Sequence, residues 1–259
     1  MPKFAANLNF LFTEVEFLER FAAARRAGFR AVEFPFPYPY ERAALAAAVE
    51  RAGVEVVLFN LPAGSWDKGE RGIACDPDRT AEFRDGVGAA IGYARALHCP
   101  RINCLAGIAP TGADPERVRA TLVENLRYAA AALAAEGVLL VTEPINPRTV
   151  PGFYLNTTKQ ALEILRAVGS DNLKIQYDIF HMQIVEGDLA KTIEANLARI
   201  GHVQFADVPD RHEPGTGEIN YDFLFEWIDR VGYQGWIGAE YVPANGTAES
   251  LGWLKPHAS

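Results

Sequence analysis

Eight short apolar runs, rich in β-branched and aromatic residues, alternate with longer segments of helical period along the chain, and this alternation restricts the fold more than any other feature. Strand, helix, strand in repetition is the pattern of a parallel sheet whose crossovers are helices. The runs are KFAANLNF (3–10), AVEFPF (31–36), VEVVLFNLP (54–62), RINCLAG (101–107), VLLVTEP (138–144), LKIQYDI (173–179), HVQFADV (202–208) and WIGAEYV (236–242). Between them lie the predicted helices TEVEFLERFAAARRAG, YERAALAAAVERAG, PDRTAEFRDGVGAAIGYARALH, DPERVRATLVENLRYAAAALAAEG, TTKQALEILRAVG, GDLAKTIEANLARIG and YDFLFEWIDRVG. Most of these close on glycine, which takes the left-handed position after a helix without steric penalty. Thr13 and Glu16 have the spacing of a capping box, and Asp114 precedes Pro115 at a first helical position. An eighth helix, beyond the last strand at PANGTAESLGWLK, is predicted to be short or frayed.

No linker or shift in composition divides the 259 residues, and 49% hydrophobic content supplies a large core. The prediction is an α/β chain forming one (β/α)₈ TIM barrel, a single domain over 1–259. An open doubly wound sheet is the runner-up, but no GxGxxG follows the first strand.

A net charge of -8 gives no basic field for phosphate backbones, so no nucleic-acid partner is expected. No apolar run approaches the roughly 20 residues of a membrane helix, and no membrane association is expected. The N-terminal MPKFAANLNFLF, interrupted by Asn7 and Asn9, does not read as a signal peptide. Cys75, Cys99 and Cys104 match no zinc spacing and read as buried free thiols of a reducing, cytoplasmic compartment.

Chemistry in such a barrel belongs at the C-terminal ends of its strands. There the sequence places Glu143 on strand five, Asp178 on strand six, Gln204 on strand seven and Glu240 near the end of strand eight. Any one of these reads equally well as a helix cap or an ion-pair partner. Four oxygen donors on consecutive strands, about 4.8 Å apart, can converge on one point. Three carboxylates brought so close raise one another's pKa unless a cation neutralises them. Oxygen ligands suit Mg²⁺ or Mn²⁺, with Co²⁺ as a substitute.

His181, three residues beyond Asp178, and Arg211, in the loop after strand seven with His212 and Glu213, are candidate substrate contacts. A guanidinium fork there suits a substrate carboxylate. Asn7, Glu33, Asn60 and Asn103 on the first four strands are either site residues or interior polar groups satisfying one another. Trp66 and Arg71 belong to the irregular stretch PAGSWDKGERGIACDPD (62–78), a candidate lid. A cation ringed by carboxylates, with no cysteine nucleophile, suits proton transfer beside the carbonyl of an α-hydroxy carbonyl compound. Glu143 and Glu240, separated by two strands, would flank the substrate, and isomerisation or epimerisation follows.

The segments FAANLNFLF, GFRAVEFPFPY, NLPAGSWDKGERGIACDP, EFRDGVGAAIGYARAL, INCLAG, TLVENLRYAA, TEPIN, LKIQYDIFHMQ, HVQFADVPDRHEPGTGEINY and GAEYVP together resemble the hydroxypyruvate isomerase family. That family belongs to the xylose-isomerase-like barrels, with ketose 3-epimerases and endonuclease IV type repair enzymes. The resemblance implies a metal site of Glu143, Asp178, Gln204 and Glu240, with the two glutamates as the acid/base pair and His181 and Arg211 close to substrate. It implies interconversion of hydroxypyruvate and tartronate semialdehyde (2-hydroxy-3-oxopropanoate), a small 2-oxo/hydroxy acid pair. A 2-oxo-tetronate isomerase, a ketose 3-epimerase and a non-catalytic sugar-acid binding barrel stand as alternatives. A repair enzyme would need a histidine-rich zinc cluster, and the chain has five histidines. Many members carry lysine after EY, where this chain has Val242, and that departure bears on substrate preference. Whether the chain forms a homo-oligomer stays open.

Overall fold

The computed structural model describes residues 2–257, so Met1, Ala258 and Ser259 of the predicted 1–259 domain lie outside the described residues. Eight parallel strands close into a barrel in sequence order: β1 (Lys3–Asn7), β2 (Ala31–Glu33), β3 (Glu55–Asn60), β4 (Arg101–Cys104), β5 (Leu139–Thr142), β6 (Leu173–Asp178), β7 (Ile200–Phe205) and β8 (Trp236–Ala239). The strands are buried on both faces, which explains why they read as apolar runs without alternation. Around them run α1 (Phe17–Arg26), α2 (Arg42–Ala52), α3 (Thr80–Leu97), α4 (Pro115–Ala134), α5 (Thr158–Val168), α6 (Ile179–Val185), α7 (Leu189–Asn196), α8 (Tyr221–Arg230) and the short α9 (Thr247–Ser250).

The predicted short eighth helix is α9 followed by a 3₁₀ segment, Leu251–His257. It closes the barrel through one large side chain. The Trp253 ring packs edge-on against Phe4 of β1 and Phe205 of β7, at 5.0 and 4.9 Å between centroids. Its Nε1 also donates to the Tyr241 hydroxyl at 3.0 Å. A half-buried aromatic with its donor satisfied can cover the seam that a longer helix would otherwise cover.

Four local expectations need correction or refinement. Thr13 and Glu16 do not form a capping box: α1 begins at Phe17, and its N-cap Glu16 makes no side-chain cap bond. Glu14 beside them instead accepts from the Thr247 backbone N–H (2.8 Å) and hydroxyl (3.1 Å), tying this turn to α9. Asp114 does cap α4, accepting from Glu116 N at 3.2 Å with Pro115 at the first position. Gly201 is not a helix stop; it lies inside β7, where an added Cβ would sit 2.8 Å from Val141 and 2.9 Å from Leu139. Helix α6, directly after Asp178, has no counterpart among the predicted helices. The predicted strands five and eight overrun the observed ones, so Glu143 and Glu240 each fall one residue beyond the last strand residue.

Candidate active site

The strand ends place a polar layer across the barrel. In register, Asn7 lies beside Glu33, Asn60 beside Asn103, and Asp178 beside Gln204. Deepest is Glu33, fully buried, whose Oε1 accepts from Asn7 Nδ2 (3.0 Å) and Gln204 Nε2 (2.6 Å). Its Oε2 meets His202 Nε2 at 2.6 Å. Gly238 makes room for this carboxylate, since an added Cβ would lie 2.3 Å from Glu33 Oε1. Gln176 Nε2 donates both to Gln204 Oε1 (2.5 Å) and to Glu143 Oε2 (2.9 Å), linking the layer to the carboxylates above it. Gln204 is thus held in this layer through both ends of its amide.

Three acids lie at the upper rim. Glu143 Oε2 also accepts from Asn103 Nδ2 at 3.2 Å, which leaves Oε1 facing outward, 3.8 Å from His181 Nε2. Asp178 caps α6 through Oδ1, which accepts from Phe180 N (2.9 Å), and Oδ2 stays at the site. Glu240 accepts from Asn7 Nδ2 at 3.0 Å and from Arg211 Nη2 at 2.7 Å. Burial, then Glu240 and Asp178, hold the Glu143 carboxyl well above the usual carboxylate range. Burial is also the main cause for the other two, opposed by Arg211: Asp178 is raised, and Glu240 is pushed up to about 8.

Arg211 is positioned by a loop that Asp207 organises. The Asp207 carboxylate accepts from the backbone N–H groups of Val208 (2.9 Å), Gly215 (3.1 Å), Gly217 (2.9 Å) and Ile219 (3.1 Å). Its carbonyl accepts from Arg211 N at 3.0 Å, and Arg211 takes a left-handed backbone (φ 61). A non-glycine residue held there signals a conformation that its surroundings impose. Sequence reading passed over Asp207; an acid directly after an apolar strand and before a glycine-rich loop was the available signal.

His181 has a defined proton arrangement. Thr149 N donates to Asn146 Oδ1 at 2.7 Å, which turns Asn146 Nδ2 toward His181 Nδ1 at 2.6 Å. An amide nitrogen can only donate, so at 2.6 Å Nδ1 accepts and the ring proton sits on Nε2; Arg211 Nη1, also donor-only, lies at the longer distance of 3.3 Å from Nε2 and makes no hydrogen bond to it. That proton faces Asp178 Oδ2 at 3.5 Å. Burial and Arg211 push the imidazole well below its ordinary pKa, keeping it neutral.

Glu143, Glu240, His181 and Arg211 line one cavity of about 290 Å³, together with Asn60, Trp66 and Arg71, and the fully buried Asp178 lies just behind Arg211 and His181. Phe10, Pro35, Leu105, Ile145 and Val150 give it an apolar wall. Asn7 lies below it, bonded to Glu33 and Glu240. Glu213 is turned away, accepting from Ala244 N at 3.0 Å, and His212 Nδ1 meets the Val242 carbonyl at 2.7 Å. Val242 is exposed and outside the cavity lining. The donor set fits a divalent cation. Glu143, Asp178 and His181 each offer an atom within 4.8 Å of the others, and three carboxylates face a single guanidinium. Two buried acceptors beside Glu143, Asn103 Oδ1 and Gln176 Oε1, have no protein donor. His181 would ligate through Nε2 only with its proton moved to Nδ1, so the oxygens are the better donors. The three cysteines are buried and unpaired, and burial pushes Cys75 and Cys99 up to about 12, so no thiolate nucleophile is at hand.

A closed parallel barrel with acids converging at its C-terminal mouth is the architecture of a barrel enzyme, and a model of the xylose isomerase-like TIM barrel matches residues 21–257; the chain belongs to that family. It is an isomerase, as its close relatives are. Hydroxypyruvate isomerase of Escherichia coli K12 is 54% identical over 257 residues, covering 99% of this chain and 100% of that protein. The 2-oxo-tetronate isomerase of Cupriavidus necator is 51% identical, covering 99% of each. A crystal structure from Brucella melitensis, described as an AP endonuclease of family 2, superimposes with a TM-score of 0.97 at 44% identity over 100% of both chains. Among the described residues no helix is long and apolar enough to cross a membrane.

Proposed function

We propose that this enzyme interconverts hydroxypyruvate and tartronate semialdehyde by proton transfer between Glu143 and Glu240. The observation that carries the reading is that both carboxylates open onto one cavity beside His181 and Arg211, with burial raising Glu143 well above the usual carboxylate range and Glu240 to about 8. One glutamate removes a proton from C3 of hydroxypyruvate, giving an enediolate. The other returns a proton to C2, and the hydroxyl proton passes from O3 to O2, so the change is an isomerisation with no net redox. Glu143, Asp178, Gln204 through Oε1, and Glu240 would hold a divalent cation, Mg²⁺ or Mn²⁺ by ligand type and Co²⁺ as a substitute. When bound, the cation supplies positive charge next to the substrate oxygens. His181 donates its Nε2 proton to a substrate oxygen, and Arg211 holds Asp178 and Glu240 in place and opposes the rise that burial gives their pKa.

A second reading, isomerisation of a four-carbon 2-oxo-tetronate by the same groups, is favoured by the 51% identity to the Cupriavidus enzyme. We take the chain as one working domain acting in the cytoplasm, a reading supported by three buried, unpaired thiols. The test is turnover of hydroxypyruvate, 2-oxo-tetronates and free ketoses, before and after chelation and with Mg²⁺, Mn²⁺ or Co²⁺ restored. Loss of 2-oxo acid isomerisation on chelation and recovery with metal is expected. Activity indifferent to chelation would remove the metal, and turnover confined to free ketoses would replace the substrate.

A further inference from the structure

We propose that Arg71, on the loop after β3, is the residue that captures the substrate carboxylate; this rests on the reading that the substrate is a small 2-oxo acid. Two cationic side chains line the cavity, Arg71 and Arg211. The planar fork of Arg211 is already committed. Its side-on pair is used, Nη2 by Glu240 and Asp178 and Nε by the Glu240 carbonyl at 3.3 Å, while Nη1 abuts the protonated His181 Nε2 at 3.3 Å.

Arg71 differs. Its Nη1 donates to the backbone carbonyls of Trp66 (3.0 Å) and Glu70 (2.7 Å), and no carboxylate pairs with it among the described residues. Nε and Nη2, the side-on pair that matches a carboxylate, have no protein acceptor among the described residues. The neighbouring acid is spent elsewhere: Glu70 accepts from Ser65 N and from Arg79 Nη1 at 2.6 Å.

Placement follows from the barrel order. In a ring of eight strands the loops after β3 and β7 stand on opposite sides, so Arg71 faces Arg211 across the mouth. A substrate whose carbonyl and hydroxyl oxygens lie toward Glu143, Asp178 and Glu240 must keep its own carboxylate away from those acids, since like charges in a shared site repel. The opposite wall, with the uncompensated guanidinium, is where that anionic end goes. The side chain is held ready: the guanidinium lies over the Trp66 ring, 4.0 Å from its centroid, and Trp66 packs on Phe36 at 5.2 Å. Next to it Gly72 (φ 113) brings the backbone against the loop after β4 so closely that an added Cβ would lie 2.4 Å from the Leu105 carbonyl oxygen. A carboxylate arriving there meets a cation whose entropy is already spent.

The test uses the full-length protein and two variants: Arg71→Met, which keeps an apolar stem on Trp66, and Arg71→Lys. Binding of tartronate, an unreactive hydroxy-dicarboxylate, is measured by calorimetry, and KM and kcat are measured for hydroxypyruvate. The expected result for Arg71→Met is a loss of tartronate affinity and a rise in KM, each of about 10- to 100-fold, with kcat changed only a few-fold. Arg71→Lys should fall between, with affinity more sensitive to salt. Wild-type tartronate affinity in a folded Arg71→Met protein overturns the proposal. If Arg71→Met does not fold, Arg71→Lys decides: unaltered affinity and salt dependence overturn the proposal, and intermediate affinity supports it. If the wild type does not isomerise hydroxypyruvate, the reaction assignment falls, while the tartronate comparison still decides the role of Arg71.

Discussion

Arg211 Nη2 donates to Glu240 Oε2 at 2.7 Å while also reaching Asp178 Oδ2 at 3.1 Å, so one guanidinium, 16% exposed, compensates two nearly buried carboxylates at once. Removing it leaves like charges facing one another in a low-dielectric pocket. Arg211→Met should therefore destabilise the chelated protein at pH 8 by up to about 3 kcal/mol, the partial exposure lowering the cost of a fully buried pair. The loss should shrink at pH 6, where the acids can take up protons instead. Urea unfolding at the two pH values checks this; a pH-independent loss would show that Arg211 matters by packing rather than charge.

The titrating groups fix how stability of the metal-free enzyme varies with pH. The folded state raises Glu143, Asp178 and Glu240, the last from 4.5 to about 8, so the native state binds more protons than the unfolded chain in that window. Their contribution is fully present below the unfolded pKa and is lost as pH rises toward 8. His181 and His202 are depressed by burial below 6.5, so they act oppositely, and stability falls as pH drops below 6.5. The melting temperature of chelated protein should decline from pH 6.5 toward pH 8.5, where the histidines no longer offset the carboxylates, and saturating divalent metal should raise it most at the alkaline end. A melting temperature that climbs from pH 6.5 to 8.5 without metal would contradict the carboxylate shifts.

Asn146 touches the cavity only through His181, yet it decides which ring nitrogen carries the proton. Asn146→Asp offers Nδ1 an acceptor and should move the proton there. The ring ¹⁵N shifts of His181 would report the change directly, and turnover should fall by about 10-fold or more, the scale of lost second-layer support. Unchanged ring shifts in the variant would mean that Asn146 does not set the tautomer.

Glu143→Gln and Glu240→Gln keep shape and remove the exchangeable proton. Each should cut turnover of hydroxypyruvate by about 10²-fold or more. Because the two steps are separate, exchange of the C3 proton with solvent should vanish in the variant lacking the first base and survive in the other. Near-normal turnover in either one ends that residue's part in proton transfer.

The alternation of apolar runs and helical segments determined the barrel, because strand and helix periods are local properties that each segment carries by itself. The same runs located Glu143 and Glu240 at the mouth, with Asp178 just behind them and Gln204 in the polar layer below, since a barrel's geometry assigns strand ends to one face. Where burial replaces local pattern, the sequence is silent. Helix α6, with Ile179, Phe180, His181 and Met182 all buried, has no polar face to show a helical period. The glycine at 201 reads as a helix stop, but the tight packing of β7 against Val141 and Leu139 requires it. Pairings between distant residues had no local signature either. Asp207 bracing the Arg211 loop, Asn146 orienting His181, and Glu33 meeting His202 across 169 positions arise only when the ring closes. Which acids share Arg211, and which arginine is left with an open fork, were decided by tertiary structure, because a hydrogen bond is satisfied by whatever the fold brings within 3 Å and not by what lies next in the chain.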